Sequence, residues 1–380
     1  MLIIIINDKL VVMKKLKKLL LVLAIILATL IVVIGSYVLY VVLQYSRIDD
    51  NISINVDNEV SQSILITDKQ YTISTYNIGF GAYSPDYSFF MDTGVMKDGT
   101  PVRGKSGTGK SKEEVNYNTL GAIEEIKKLD SDFIILQEVD TDSTRSYQIN
   151  QKQLFEEAFL DYCSTYTPNF HSSYSMLPIN DPHGIANTGL LTFAKVNIDR
   201  AVRKNYPVSD AFPAKYFDLD RCFTVNYVKV ENNKDLVIIN SHMSAYDKGG
   251  LIRKKQLTLL NTFMEEEYNK GNYLIVGGDF NHALGSDIVE AFTSEQEIPS
   301  WVNVLDDSDL VPFMSICKAE NRFEVATCRS SDIPYEKNVN YVSVIDGFLV
   351  SDNISATAIN IETNFAYSDH QPVIMTFDLQ

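Results

Sequence analysis

The segment YLIVGGDFN, residues 273–281, carries the pattern that decides the fold. Residues 273–276 are apolar and mostly aromatic or β-branched, which is typical of a buried strand. Two glycines follow, and then Asp279 and Asn281. Because rigid scaffolds present functional side chains at strand ends, the segment predicts a strand that ends at a functional site.

The same pattern occurs at five other places. Polar or acidic side chains lie beside further apolar runs at Tyr76-Asn77, Gln137-Glu138, Ser241-His242, Asp346 and Ser368-Asp369-His370. A single Asp or Asn at a strand end usually caps a turn. Six such ends in one chain instead indicate that several strands deliver side chains to one site.

The remaining apolar runs indicate a fold of mixed type. Strands are predicted at 71–78, 133–137, 188–193, 223–230, 236–241, 273–276, 342–350 and 373–377, and helices at 112–129, 151–160 and 251–269. These elements mix without a strict β-α-β rhythm. We therefore expect an α/β (α+β) fold in which two mixed sheets pack face to face with helices outside.

The side chains at the strand ends suit the hydrolysis of a phosphoester. This anion repels hydroxide, so a hard cation is needed, and Mg²⁺ takes oxygen ligands from one or two carboxylates such as Glu138 and Asp369. A histidine held by a carboxylate supplies a base that titrates near neutrality, and His370 with Asp346 fits that role. The groups available to hold the phosphate or protonate the leaving oxygen are His242, Asn281 and Asn77.

Taken in order, these motifs resemble those of the endonuclease/exonuclease/phosphatase (deoxyribonuclease I-like) superfamily. The motifs are Tyr76-Asn77, Leu136-Gln137-Glu138, Ser241-His242, Gly278-Asp279-Phe280-Asn281 and Ser368-Asp369-His370. The resemblance implies a four-layer α/β/β/α sandwich and dependence on Mg²⁺ or Mn²⁺. It also implies a metal site formed by Glu138, Asn77 and Asp369.

The other roles carried over from the family concern catalysis and phosphate binding. The resemblance implies that Asp279 and Asn281 orient the attacking water and the phosphate, that Asp346 orients His370, and that His242 contacts the scissile phosphate. Arg221 stands in a strand before the His242 motif, as a phosphate-binding Arg does in the family. The alternative for Arg221 is a surface ion pair.

The N-terminal region differs in character from the rest of the chain. Residues 19–43 form an uncharged run longer than the roughly 20 residues that a membrane-spanning helix needs. Four lysines between positions 14 and 18 precede it, so the positive-inside rule predicts that residues 1–18 are cytoplasmic. We expect a linker at 44–69 and an extracytoplasmic catalytic domain at 70–380. A cleaved secretory signal is the alternative.

Charge and cysteine content restrict the function further. Residues 1–47 hold six of the 33 basic residues and one of the 49 acidic residues, which leaves a formal net charge of −21 on the remainder. Such an acidic domain is poorly suited to processive binding of a polyanion. Cys317 and Cys328 are the closest pair of the four cysteines, and either a disulfide or free thiols fit an extracytoplasmic domain.

Two other functions remain open from the sequence. The segment GKSGTGKS, residues 104–111, fits the P-loop pattern of nucleotide hydrolases, but the residues before it are polar and broken by Gly and Pro rather than forming an apolar strand. A membrane-anchored, non-catalytic binding module on the same fold is the other alternative. The substrate classes expected for a hydrolase are nucleic acid, inositol phosphate and lipid headgroup; no protein partner is indicated.

Overall fold

The computed structural model describes residues 2–212, 214–216, 219–245 and 250–380. The chain divides into two units, Met1–Ser46 and Arg47–Gln380. In the first unit, α1 (Leu2–Gln44) is one continuous helix. Its stretch Leu10–Gln44 is long and apolar enough to cross a membrane. A signal sequence near the N-terminus can have the same length and composition.

The second unit contains two seven-stranded mixed sheets. In spatial order, sheet I consists of β1 (Ile52–Ile54), β9 (Arg200–Asn205), β10 (Cys222–Lys229), β11 (Asp235–His242), β12 (Tyr273–Asp279), β18 (Asp346–Ser351) and β15 (Met314–Cys317). Sheet II consists of β19 (Ile354–Asn360), β20 (Val373–Leu379), β3 (Gln70–Asn77), β6 (Phe133–Asp140), β8 (Asn187–Ala194), β7 (Cys163–His171) and β2 (Val56–Asp57).

Three short strand pairs lie outside the sheets. They are β4 (Thr93–Val95) with β5 (Pro101–Arg103), β13 (Ala283–Leu284) with β14 (Val304–Leu305), and β16 (Cys328–Arg329) with β17 (Val342–Ser343). The predicted strand at 342–350 is therefore interrupted. Ile345 and Asp346 donate their backbone N–H groups to Thr327 Oγ1 there, so the chain leaves one pair and enters sheet I.

Hydrophobic burial produces the expected four layers. The sheets pack on each other through apolar side chains such as Ile73, Ile135, Ile238 and Ile275. The outer face of sheet II is covered by α2 (Lys112–Leu129) and α3 (Gln151–Ala158), and that of sheet I by α4 (Leu251–Tyr268). The predicted sandwich of two mixed sheets flanked by helices is confirmed.

The predicted linker differs from what the structure shows. Residues 52–57 form β1 and β2, which pair with β9 and β7 at the edges of the two sheets. Leu65 is buried in the core between the sheets. The folded unit thus begins near Arg47 rather than residue 70, because the exposed edges of both sheets offer backbone partners to a chain without apolar periodicity.

Candidate functional site

Strand register brings three of the predicted residues side by side. In sheet I, His242 at the end of β11 lies level with Asp279 at the end of β12, and Asp279 lies opposite Asp346 at the start of β18. All three side chains are almost completely buried. Their alignment follows from pairing, since parallel strands end at the same edge and an antiparallel neighbour begins there.

A glycine permits this close approach of strand ends. Gly278 has φ 135°, and a Cβ atom there would lie 2.0 Å from the backbone oxygen of Ser241. An L-residue rarely adopts this conformation, and no side chain fits the space. Gly278 therefore fixes the position of Asp279 against β11.

Glu138 is directed into the site by a β-bulge. The pairing of β6 with β8 shifts register between Leu136 and Val139, and Glu138 has φ 56°. A bulge re-aims side chains next to functional sites at a cost in backbone strain. Glu138 keeps 22% of its side chain exposed, unlike the carboxylates of sheet I.

His370 and Asp346 form a buried dyad. His370 Nδ1 lies 2.9 Å and 3.1 Å from the two carboxylate oxygens of Asp346. Burial alone would lower the pKa of His370, but the surrounding carboxylates, above all Asp346, raise this pKa well above its usual value. The ring is thereby favoured as an imidazolium, with Nε2 facing the Asp279 carboxylate at 3.7 Å.

Asp279 lies beside this dyad and accepts hydrogen bonds from two neighbouring residues. Its Oδ1 accepts a bond of 2.8 Å from the backbone N–H of Asn281, and its Oδ2 accepts one of 3.0 Å from Asn77 Nδ2. The same Oδ2 lies 3.7 Å from His370 Nε2 and 3.5 Å from His242 Nε2. Four of the predicted residues therefore converge on one carboxylate.

The two asparagines are held by the backbone. Asn77 accepts from the Gly79 N–H through Oδ1 and turns its amide NH₂ toward Glu138, Asp279 and His370. In this orientation Asn77 is placed to donate to an anion rather than to supply an oxygen to a metal. Asn281 donates from Nδ2 to the Met243 carbonyl at 3.0 Å.

Glu138 and Asp369 remain suitable for a cation. Burial raises the pKa of Glu138, Arg145 opposes that effect, and Asp369 adds to it. Within the described ranges the nearest ion-pair partner of Glu138 is His242 Nε2 at 4.0 Å. Asp369 accepts from the hydroxyls of Ser368 and Ser331 at 3.3 Å and 3.2 Å. A hard cation fits these neighbouring carboxylates, because its positive charge would neutralise their negative charge.

A second group of possible metal ligands overlaps the dyad. Asp279, Asp346 and His370 offer ligand atoms within 4.8 Å of one another. However, His370 Nδ1 and the Asp346 carboxylate already bond to each other, and that bond would have to break if both bound the same ion.

Arg221 and His242 each have buried polar atoms without a hydrogen-bond partner among the described residues. Arg221 is only 5% exposed, and its Nε and Nη1, like Nδ1 of His242, have no hydrogen-bond partner among the residues described. Burial, reinforced by the charge of Arg221, holds the pKa of His242 well below its usual value. Arg221 is thus not in a surface ion pair. A buried guanidinium whose Nε and Nη1 lack partners among the described residues, next to a neutral imidazole, suits a bound anion.

Several residues of the site carried no signal in the sequence. Arg145 makes a two-pronged ion pair with Asp140 at 2.8 Å and 3.0 Å and adds positive charge near Glu138. Cys328 Sγ lies 3.8 Å from His370 Nε2. Neither residue belongs to a motif, and both reach the site from loops and short strands. All four cysteines are free.

The P-loop-like segment does not form a phosphate cradle. Gly107 and Thr108 donate their backbone N–H groups to the Asp181 carboxylate at 2.8 Å and 3.2 Å, so an anion of the chain itself occupies that position. Lys110 pairs with Asp86. The preceding strand β5 belongs to a two-stranded hairpin rather than to a main sheet, so the strand required before a P-loop is missing here.

Comparisons with known proteins concern the family and the fold. The endonuclease/exonuclease/phosphatase family model matches residues 74–370. Structures with a similar fold include an endonuclease/exonuclease/phosphatase from Beutenbergia cavernae, at 15% identity and a TM-score of 0.54 over 82% of this chain and 72% of that one. No curated protein sequence matches the chain.

Two further structures show the same likeness. ANGEL2, a 2′,3′-cyclic phosphatase, is 15% identical with a TM-score of 0.50 over 86% of this chain and 99% of its own. D. rerio TDP2, solved with a single-strand DNA product, is 14% identical with a TM-score of 0.49 over 82% of this chain and 100% of its own. At 15% identity, the likeness to the Beutenbergia cavernae structure and to ANGEL2 shows the fold alone.

Proposed function

Because this chain belongs to the endonuclease/exonuclease/phosphatase family, we propose that it is a metal-dependent hydrolase of a phosphomonoester or phosphodiester. The observation that carries the proposal is the His370–Asp346 bond beside the buried Asp279 carboxylate. Burying such groups together costs free energy, and titratable groups gathered in this way favour catalysis over packing as their role.

The chain would hold the cation that the reaction needs and supplies the proton acceptor. When bound to Glu138 and Asp369, Mg²⁺ or Mn²⁺ would offset charge on the phosphoryl oxygens. Asp279, fixed by Asn77 and the backbone N–H of Asn281, accepts the proton of the attacking water.

His370 takes a different role from the one expected. Its raised pKa favours an imidazolium, which donates from Nε2 to a phosphoryl oxygen, so we assign the base to Asp279 rather than to His370. Arg221 supplies further donors to the phosphate through Nε and Nη1, which lack partners among the described residues, and His242 supplies one through Nε2, which faces Asp279 and Glu138. The amide NH₂ of Asn77, which faces Glu138, Asp279 and His370, is a further donor.

We also propose that α1 anchors the protein in a membrane, with residues 1–18 in the cytoplasm and the catalytic unit outside. The uncharged run and the lysines before it support this orientation. Nucleic acid, inositol phosphate and lipid headgroup are the substrate classes to be tested.

The test uses the full chain in detergent with bis(p-nitrophenyl) phosphate. Hydrolysis is expected with Mg²⁺ or Mn²⁺ and is expected to stop in EDTA. His370→Gln should reduce kcat by roughly 10²–10⁴, since proton transfer and charge stabilisation at such a group contribute about that much. Lys110→Ala should leave kcat unchanged.

The two alternatives predict different results. A P-loop enzyme requires Lys110 and tolerates His370→Gln. A binding module hydrolyses neither this diester nor DNA, RNA, inositol phosphates or sphingomyelin, with or without metal.

A further inference from the structure

A tight turn follows Asn77 and packs against Asp369. Residues 79–81 all have left-handed backbones, with φ of 51°, 41° and 71° in order. The Gly79 N–H donates to Asn77 Oδ1 at 3.0 Å. A Cβ atom at Gly79 would lie 3.0 Å from Asp369 Oδ1 and 3.0 Å from Ser368 Oγ. The turn therefore sets the position of Asn77 relative to Asp369.

Phe80 is the residue that needs support within this turn. A bulky L-residue rarely adopts a positive φ, and such a conformation persists only where the surrounding contacts fix it. The rings of Tyr83, Phe89 and His183 contact the buried Phe80 ring. The Arg145 guanidinium lies over the Phe80 ring, 3.9 Å from its centre. A cation over an aromatic face is stabilising, and more so when water is excluded, so Arg145 helps to hold Phe80 in place.

The same guanidinium is bonded to the strand that carries Glu138. Arg145 donates from Nη2 and Nε to the two carboxylate oxygens of Asp140, which lies two residues beyond Glu138 at the end of β6. The Ser146 hydroxyl also donates to Asp140, at 2.9 Å. Arg145 therefore connects the bulge that directs Glu138 with the turn that directs Asn77.

Gln151, at the start of α3, supports the backbone at both ends of this connection. Its Oε1 accepts from the Asp140 N–H at 2.9 Å, and its Nε2 donates to Thr119 Oγ1 at 2.9 Å. A Cβ atom at Gly81 would lie 2.8 Å from Gln151 Nε2 and 2.8 Å from Thr119 Oγ1. The turn and the end of β6 are thus held by the same side chain, and Arg145 fixes the groups above them.

Stability alone does not account for the Arg145–Asp140 pair. The two side chains are 8% and 0% exposed, and the desolvation of two such charges largely offsets their attraction. The two bonds to Asp140 and the contact with the Phe80 ring nevertheless allow the guanidinium a single orientation. What the pair provides is a fixed geometry between the ends of β3 and β6.

We propose that Arg145 is a positioning residue, which keeps the Glu138 bulge and the turn at 79–81 at the spacing that a divalent cation needs. This inference rests on the proposed metal-dependent hydrolysis. Arg145 acts through Asp140 and Phe80, so the planar guanidinium is required and a positive charge alone is not sufficient. Residues that orient metal ligands in this way typically change metal affinity or activity by roughly 10–100-fold when they are replaced.

The test is the affinity of the full chain in detergent for Mn²⁺, measured from the electron paramagnetic resonance signal of the free ion. The relevant site is the one that Glu138→Gln removes. Arg145→Lys keeps the charge but loses the planar group, and Phe80→Leu keeps an apolar side chain but loses the aromatic face. Each variant should bind Mn²⁺ at least roughly tenfold more weakly than the native chain.

The double variant Arg145→Lys/Phe80→Leu tests whether the two residues act through one contact. It should bind Mn²⁺ little more weakly than either single variant, because both changes break the same interaction. Losses that multiply in the double variant would show two independent effects and overturn the connection through Phe80.

Arg200→Lys is the matched control. The Arg200 guanidinium lies over the Tyr227 ring, 3.4 Å from its centre. These two residues pair at the end of sheet I opposite His242, so this change removes a similar contact far from the site. It should leave the affinity for Mn²⁺ unaltered, and an equal loss in Arg200→Lys would overturn the role of Arg145.

Turnover of bis(p-nitrophenyl) phosphate separates positioning from a purely structural role. Arg145→Lys and Phe80→Leu should need more Mn²⁺ for half-maximal turnover, by the same factor as their affinity for the ion falls. A structural residue would lower Tm without moving this activation curve. Native Mn²⁺ affinity in folded Arg145→Lys, or in Phe80→Leu if the first variant does not fold, overturns the role of Arg145 alone. A native chain that binds no Mn²⁺ through Glu138 overturns the proposed metal-dependent function as well.

Discussion

Replacing Asp346 with asparagine tests the dyad most sharply. The carboxylate accepts from His370 Nδ1 at 2.9 Å and 3.1 Å and is the main cause of the raised pKa of His370. Asp346→Asn keeps the size of the side chain but removes the charge, so His370 loses its fixed orientation and its favoured imidazolium state. Imidazolium donation to the phosphate should therefore weaken.

The expected loss is large and confined to catalysis. Proton transfer and charge stabilisation of this kind contribute roughly 10²–10⁴ to a rate, which corresponds to about 2.7–5.5 kcal/mol of transition-state stabilisation. The assay is kcat on bis(p-nitrophenyl) phosphate with Mn²⁺, beside thermal unfolding of the same preparations.

The matched control is Asp132→Asn. Asp132 accepts from the Thr72 N–H at 2.9 Å at the opposite end of sheet II, so this change removes a structural carboxylate without touching the site. It should leave kcat unchanged. A loss below about tenfold for Asp346→Asn in a folded protein would show that the dyad is not catalytic.

Three other changes give separate expectations. Gly278→Ala should lower the unfolding free energy by at least about 2 kcal/mol and abolish activity, because its Cβ would meet the Ser241 oxygen. Gly99→Ala, also at positive φ but with open space around it, should lower the unfolding free energy less. Equal losses of Tm in the two variants would contradict the close-approach argument. Arg221→Met should raise Tm, because it removes a buried charge whose Nε and Nη1 lack partners among the described residues, while lowering kcat/KM at least roughly tenfold. An unchanged kcat/KM would remove Arg221 from phosphate binding. Burial lowers the pKa of His183 to about 4, so the protein should lose stability as pH falls below about 6.5, by up to about 3 kcal/mol near pH 4. His183→Phe should remove that part of the acid destabilisation, measured by urea unfolding. An unchanged pH profile of the unfolding free energy would contradict this role of His183.

The elements predicted best are those with local signals. The predicted helix at 112–129 matches α2, because Ser111 caps its start by accepting from the Glu114 N–H and Asp130 ends it in a left-handed conformation. The central strands were predicted within a few residues for the same reason, since their apolar runs stop at turns. Strand β9, second from the edge of sheet I, and the edge strand β19 were missed because RAVRKN and ISATAIN carry little apolar periodicity and owe their structure to neighbours.

The residues of the site also divide into those with a local signal in the sequence and those without one. Residues at strand ends, such as Asp279 and His242, were predicted and do converge in the structure. The orientation of the Asn77 amide depends on the Gly79 N–H, and the direction of Glu138 depends on a bulge, and neither is visible in residue identity. Cys328 and Arg145 reach the site only through tertiary contacts, which a single sequence does not reveal.

The central claim is that a cation binds Glu138 while His370, Asp346 and Asp279 act beside it. Anomalous diffraction from crystals of the full chain soaked in Mn²⁺ measures this directly. We expect one manganese peak in contact with Glu138 and Asp369, with the His370–Asp346 bond intact. A peak held instead by Asp279, Asp346 and His370, or no peak near Glu138, would contradict the account.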